Sequence, residues 1–208
     1  MAIFGEPLED EVERIMEVPK RISFEEYERV EALSDDRLEY HDGVVVRMES
    51  PSMQHEVIVT NVGDVLAPGV RTGGCRKFTN ATVVTPGRRN GYRPDLAVSC
   101  DAVDLGPGEH QRACRLYSPS MVVEVLSKST ATVDLGDKVL EYSKLSSLAL
   151  YLVIDSRRRW AVYYGRDAGS GELKPIQQVV DSLETPFASL SLDEIYERVD
   201  VPLLLPLE

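Results

Sequence analysis

Two carboxylates in this chain stand where a carboxylate is costly. Asp95 opens the run Arg93-Pro94-Asp95-Leu96-Ala97-Val98, and Glu124 sits in the middle of Met121-Val122-Val123-Glu124-Val125-Leu126-Ser127. Both runs are apolar, rich in β-branched residues and bounded by Pro, Gly or Ser, the pattern of buried strands. A charge inside such a strand is strongly unfavourable unless it is paired or binds a metal. Two of them in neighbouring strands repel unless a cation lies between them or one is protonated. The next segment, Ser129 to Tyr142, reads as a helix carrying Lys138, with Tyr142 one turn further on the same face. Carboxylates holding a hard divalent cation, beside a lysine that orients water or neutralises developing charge, are the parts of a metal-dependent phosphodiesterase. A structural salt bridge to Arg93 or Lys138 accounts for the same residues without chemistry.

The elements that must position these groups follow from the rest of the chain. Its 208 residues suffice for a single domain with a sizeable core, here expected over 1–208 with an N-terminal helical arm at 1–20 and the core at about 21–200. Ser23, with Glu26 three residues later, predicts a capped helix whose Phe24, Tyr27, Val30 and Leu33 face the core. Asp42-Gly43 between two extended runs predicts a tight hairpin over Arg37–Met48. Glu39 and His41 share one face of it, which alternation alone assigns to solvent. Ser50 and Pro51 predict the start of a helix reaching about Leu66, with His55 in its first turn. Extended runs at 75–78 and 82–85 precede the Asp95 strand, and 101–116 reads as loop. Leu148–Asp155 reads as a strand buried on both faces, paired with 160–164, and 172–181 as a further hairpin. Leu192–Val199 reads as a last short helix. The resulting class is α+β: a mixed, mostly antiparallel sheet flanked by helices, with one strand–helix–strand crossover from Glu124 to Asp155.

Composition narrows the function. No apolar run approaches the roughly 18 residues of a membrane helix, and the N-terminus lacks the regions of a signal peptide, so the expected location is cytoplasmic and away from membranes. Cys75, Cys100 and Cys114 have no CxxC spacing and are read as plain thiols; His41, His55 and His110 show no zinc-ligand spacing. The net charge of −12 opposes non-specific binding to nucleic acid. A nucleic-acid partner needs a local basic patch, for which 71/76/77, 88/89 and 157–159 are the candidates.

The runs Arg93-Pro94-Asp95, Glu124-Val125-Leu126-Ser127-Lys128-Ser129-Thr130 and Asp134…Lys138…Tyr142 resemble the signature of the Uma-two family of restriction-endonuclease-like proteins, in the PD-(D/E)XK nuclease superfamily. The likeness extends over most of the chain, through Ser23–Tyr27, Leu38–Gly43, Met48–His55 and Leu150–Asp155. It implies a restriction-endonuclease-like fold and a Mg²⁺- or Mn²⁺-dependent endonuclease acting on nucleic acid, DNA in the first place, as a homodimer. Asp95 and Glu124 become the metal ligands, Glu39 an additional acid, and His55, Ser127 and Tyr142 accessory groups. The superfamily's lysine falls two residues after the glutamate, where this chain has Leu126. The resemblance then makes Lys138 the relocated lysine, with Lys128 the other candidate. If neither reaches the carboxylates, the fold becomes a catalytically silent binding or assembly module.

Overall fold

The computed structural model describes residues 21–108, 114–127, 134–167, 169–179 and 181–201. The expected N-terminal arm, His110, Lys128 and the start of the helix expected from Ser129 lie outside them. Ser23 caps α1 (Phe24–Leu33): its hydroxyl accepts the Glu26 N–H, and the Glu26 carboxylate accepts the Ser23 N–H. Phe24, Tyr27 and Val30 are buried, whereas Leu33 ends the helix exposed. The strands β1 (Leu38–His41) and β2 (Val44–Arg47) pair across Asp42 and Gly43. Both turn residues have positive φ, 46° and 98°, as a type I′ turn requires.

The second helix differs from expectation at both ends. Ser52 rather than Ser50 is the cap, accepting the His55 N–H, and α2 (Met53–Thr72) runs past Leu66 and through Pro68. Burial of Ile58, Val62, Leu66 and Val70 carries it through the proline, whose local cost the apolar face outweighs.

The remaining strands are β3 (Arg76–Phe78), β4 (Thr82–Val84), β5 (Asn90–Tyr92), β6 (Leu96–Ser99), β7 (Arg115–Leu116), β8 (Pro119–Leu126), β9 (Leu150–Asp155), β10 (Ala161–Arg166), β11 (Leu173–Val179), β12 (Ser182–Glu184) and β13 (Ser189–Ser191). The further helices among the described residues are α3 (Ala102–Leu105), α4 (Asp137–Ser143) and α5 (Leu192–Ile195), α3 and β7 lying in the stretch read as loop. A six-stranded sheet has the order β11-β10-β9-β8-β6-β3, and a five-stranded sheet the order β2-β1-β5-β4-β7. In the larger sheet β8 and β9 are parallel, joined through α4, and the other pairs are antiparallel. The hairpin expected over 172–181 is instead the edge strand β11, turned back on β10; the true hairpin there is β12–β13.

Alternation along β8 decides where Glu124 points. Met121, Val123 and Val125 pack under α2 with Ile58 and Val62. Val122 and Leu126 face the other way, toward Tyr142 of α4 and Val83 and Tyr92 of the smaller sheet. Glu124 belongs to this second face, between the two sheets.

Cys75 and Cys100 are not free thiols: they form a disulfide, with Cα atoms 4.1 Å apart. They flank the Arg76↔Ser99 pair, so extending the β3–β6 ladder by one step sets them opposite each other. Sequence spacing carries no sign of this, since the pairing depends on strand register. In a reducing compartment the pair would stand as thiols. Cys114 is free and exposed.

Candidate active site

Five elements bring four carboxylates, one ammonium and one imidazole to a single pocket. Asp95 comes from the start of β6, Glu124 from β8, Glu39 from β1, and Asp134 and Lys138 from the crossover; His55 arrives from α2. All six line a cavity of about 530 Å³, with Arg37, His41, Arg47, Ser127 and Arg157 also in its wall. The charged groups are deeply buried, Glu124 at 3% exposure, Lys138 and Asp134 at 2%, Glu39 at 5% and Asp95 at 8%.

Lys138 is the hub. Its Nζ donates to Glu124 Oε1 at 2.9 Å and to Glu39 Oε1 at 3.1 Å. Asp134 Oδ1 lies 3.0 Å away, an ionic contact at an angle unsuited to a hydrogen bond. Tyr142, fully buried between Tyr92 and Tyr151, donates its hydroxyl to Glu124 Oε1 at 3.3 Å. It packs behind the pocket rather than lining it.

Asp95 is fixed separately. The β6–β8 ladder ends at Leu96↔Val123, and beyond it the Val125 N–H donates to Asp95 Oδ2 at 2.7 Å. His55 Nε2 is 3.1 Å from the same oxygen, while His55 Nδ1 is buried without a hydrogen-bond partner, 3.7 Å from Glu56 Oε1. Burial alone would lower the His55 pKa, but the bond to Asp95 and that carboxylate's charge raise it.

The electrostatics separate the two glutamates. Burial pushes Glu39 up, yet the Lys138 ammonium, the bond from His41 (2.8 Å) and the Arg93 N–H hold it down at about 2. Burial drives Glu124 well above the ordinary carboxylate range, opposed by Lys138 and reinforced by Asp134, Asp95 and Glu39. Lys138 is raised well above its ordinary value, because its three carboxylates outweigh its burial. The face of β1 that alternation assigned to solvent is thus the face of the site, covered by α4.

Glu39 gives a pH prediction with a definite sign. Its carboxyl titrates lower in the folded than in the unfolded chain, so its stabilisation is full above pH 4.5 and is lost as pH falls toward about 2. Measured as urea midpoints, the stability gap between the wild type and Glu39→Gln is expected to narrow by about 2 kcal/mol from about pH 5.5 to about pH 3. A constant gap would refute the ion pair.

The structure brings together Asp95, Glu124, Lys138, Glu39 and His55, with Ser127 in the same wall. Asp134, His41, Arg37 and Arg157 were not singled out from sequence as site residues. Asp134 carried a signal, four residues before Lys138 on a helical pattern and within the family signature, and Arg157 stood in a candidate basic patch. Two of the three expected basic patches are neutralised: Arg88 pairs with Glu25, Arg89 with Asp42, Arg157 and Arg158 with Asp155, and Arg159 with Asp193, whereas Arg71, Arg76 and Lys77 donate to backbone carbonyls.

This architecture is that of a nuclease-type fold. A crystal structure from Anabaena variabilis, described as "a putative nuclease belonging to DUF820", superposes with a TM-score of 0.64 over 90% of this chain and 98% of that one, at 16% identity. The chain belongs to the Uma2 family, described as "Putative restriction endonuclease", whose pattern it matches over residues 24–194. A Synechocystis sp. protein named "Uncharacterized protein slr1290" is 28% identical over 179 residues, 85% of this chain and 92% of that protein. No helix among the described residues is long and apolar enough to cross a membrane.

Proposed function

We propose that the chain is a divalent-metal-dependent nuclease hydrolysing phosphodiester bonds of nucleic acid at the pocket floored by Asp95 and Glu124. One observation carries this reading: three buried carboxylates converge on one ammonium and a fourth, Asp95, lines the same pocket, a surplus of negative charge that burial tolerates only with a further cation or a proton. Among the described residues no three His, Cys, Asp or Glu side chains are already arranged around a metal position. The donor chemistry nevertheless fits a hard cation such as Mg²⁺ or Mn²⁺. Among the described residues the bonds to Asp95 end on Oδ2 and those to Glu124 on Oε1, which leaves one oxygen of each as a donor. Such an ion, when bound, polarises the phosphate and acidifies water.

The chain's own groups do the rest. Lys138 orients Glu124 and Glu39 and sets a fixed positive charge near the phosphate. His55 and the Val125 N–H hold Asp95, and Tyr142 holds Glu124. Water oxygen joins phosphorus, a carboxylate of the cluster takes the water's proton, and the bond to the leaving oxygen breaks with its electron pair going to that oxygen, which takes up a proton from solvent. DNA as substrate and a homodimeric state are retained on the strength of the family alone, and cytoplasmic location on the sequence alone.

Calorimetric titration with Mn²⁺ tests the reading. The parent is expected to bind, and Asp95→Ala and Glu124→Ala to lose the signal. A second reading, a catalytically silent module, is favoured by the closed contacts of Lys138 and by Leu126, which fills the usual lysine position and is buried in the core. A parent chain that takes up no Mn²⁺ at millimolar concentration selects that second reading.

A further inference from the structure

The cations around the pocket are not equivalent. Lys138 is surrounded by three carboxylates, Arg47 pairs with Asp36 at 2.7 Å, and Arg157 bonds Asp155 through Nε and Nη2. Arg37 differs: among the described residues no carboxylate lies within ion-pair distance of it, and its Nε is buried without a hydrogen-bond partner. A buried guanidinium N–H left unpaired carries a desolvation cost, which a ligand can remove. The backbone of Arg37 is held in place by its C=O, which accepts the Met48 N–H at 2.8 Å across the open end of the hairpin.

Its place is as informative as its lack of a partner. Arg37 lines the main pocket and also a second cavity of about 400 Å³, and Asp95 is the other charged residue common to both. A phosphodiester over Asp95 therefore has Arg37 in the lining of the same two cavities. The planar fork of donors matches two oxygens of one phosphate.

We infer that Arg37 is a substrate-binding residue that clamps a phosphodiester oxygen of the nucleic-acid strand at the boundary of the two cavities. This rests on the nuclease reading for the identity of the substrate. It adds that a single flexible strand, presenting one phosphate at a time, is the form the site takes. Arg37 stands between cavities of about 530 and 400 Å³, and the other basic residue in the wall of the second, Lys77, already donates to the Gly63 C=O at 2.8 Å.

The test uses the full chain and a fluorescein-labelled single-stranded oligothymidylate, read by anisotropy in Ca²⁺ so that binding is measured apart from turnover. Arg37→Met is expected to weaken binding about ten- to hundredfold, and Arg37→Lys to recover part of it. Arg47→Gln, whose charge Asp36 already neutralises, is expected to change binding less than threefold. Thermal melting and Mn²⁺ calorimetry of Arg37→Met should match the parent, which separates a lost clamp from a lost fold or metal site. Parental oligonucleotide affinity in Arg37→Met overturns the assignment. A parent that binds Mn²⁺ but no oligonucleotide overturns it too, while leaving the metal reading standing. A parent that binds the oligonucleotide through Arg37 but takes no Mn²⁺ supports the clamp and removes the nuclease reading.

Discussion

Glu124→Gln is expected to abolish cleavage while leaving the fold intact or firmer. The substitution keeps the shape of the side chain and a carbonyl oxygen able to accept from Lys138 and Tyr142. It removes a charge that burial already disfavours, since Glu124 titrates well above the ordinary carboxylate range. For a carboxyl whose folded pKa is raised, stability is full below the unfolded value and falls as pH rises through the folded one. The amide escapes that loss, so the variant should gain on the parent as pH rises from acid to neutral. Activity should move the other way. Loss of one charge-stabilising donor costs about a hundred- to thousandfold, and loss of a ligand carboxylate should exceed that. Single-turnover cleavage of a labelled oligonucleotide in Mn²⁺, paired with urea unfolding at neutral pH, reads both. Cleavage at the parental rate would end the proposal for Glu124.

Lys138→Met acts on the fold first. It leaves Glu39, Glu124 and Asp134 facing one another in a buried space without their ammonium. Breaking a buried ion pair from one side costs about 3–5 kcal/mol, because the remaining charge is uncompensated. The cost should be largest at neutral pH and shrink as acid protonates the carboxylates. Under the nuclease reading, Mn²⁺ should raise the melting temperature of Lys138→Met more than that of the parent, since the ion meets carboxylates no longer tied to an ammonium. Under the silent reading Mn²⁺ should leave both melting curves unmoved. Equal stability of variant and parent without metal would show that the lysine is not the hub the distances make it.

Much of this site was legible in the sequence, and the reason is local. Asp95 and Glu124 announce themselves because a carboxylate in an apolar strand is improbable without a partner, and Lys138 lies in the crossover that must return to the same sheet. Leu126 was a true departure: it is buried in the core, and the ammonium arrives from α4 instead. Glu39 was harder. Period-two alternation tells that it shares a face with His41 but not what covers that face, and here α4 and the larger sheet do. The Cys75–Cys100 bridge and an Arg37 without an ion pair among the described residues were invisible for a related reason. Both depend on which strands lie side by side, and neither residue type has a local pattern that reports it. The helix through Pro68 shows the opposite case, where a local stop signal yields to the apolar stripe of α2.

The pairing of surface arginines with acids has one more consequence, for how the protein meets a polyanion. Arg88, Arg89, Arg157, Arg158 and Arg159 already have carboxylate counterions built into the chain. A strand docking against them displaces few condensed small cations, because those arginines offer little net charge in exchange. Each phosphate that is neutralised contributes about −0.7 to the slope of log affinity against log salt for a single strand. A complex resting on Arg37 should therefore show a slope near −1, far shallower than the steep dependence of proteins that grip duplex DNA along a basic face. Titrating the labelled oligothymidylate from low to physiological salt measures it, and a steep slope would place the binding surface somewhere other than this pocket.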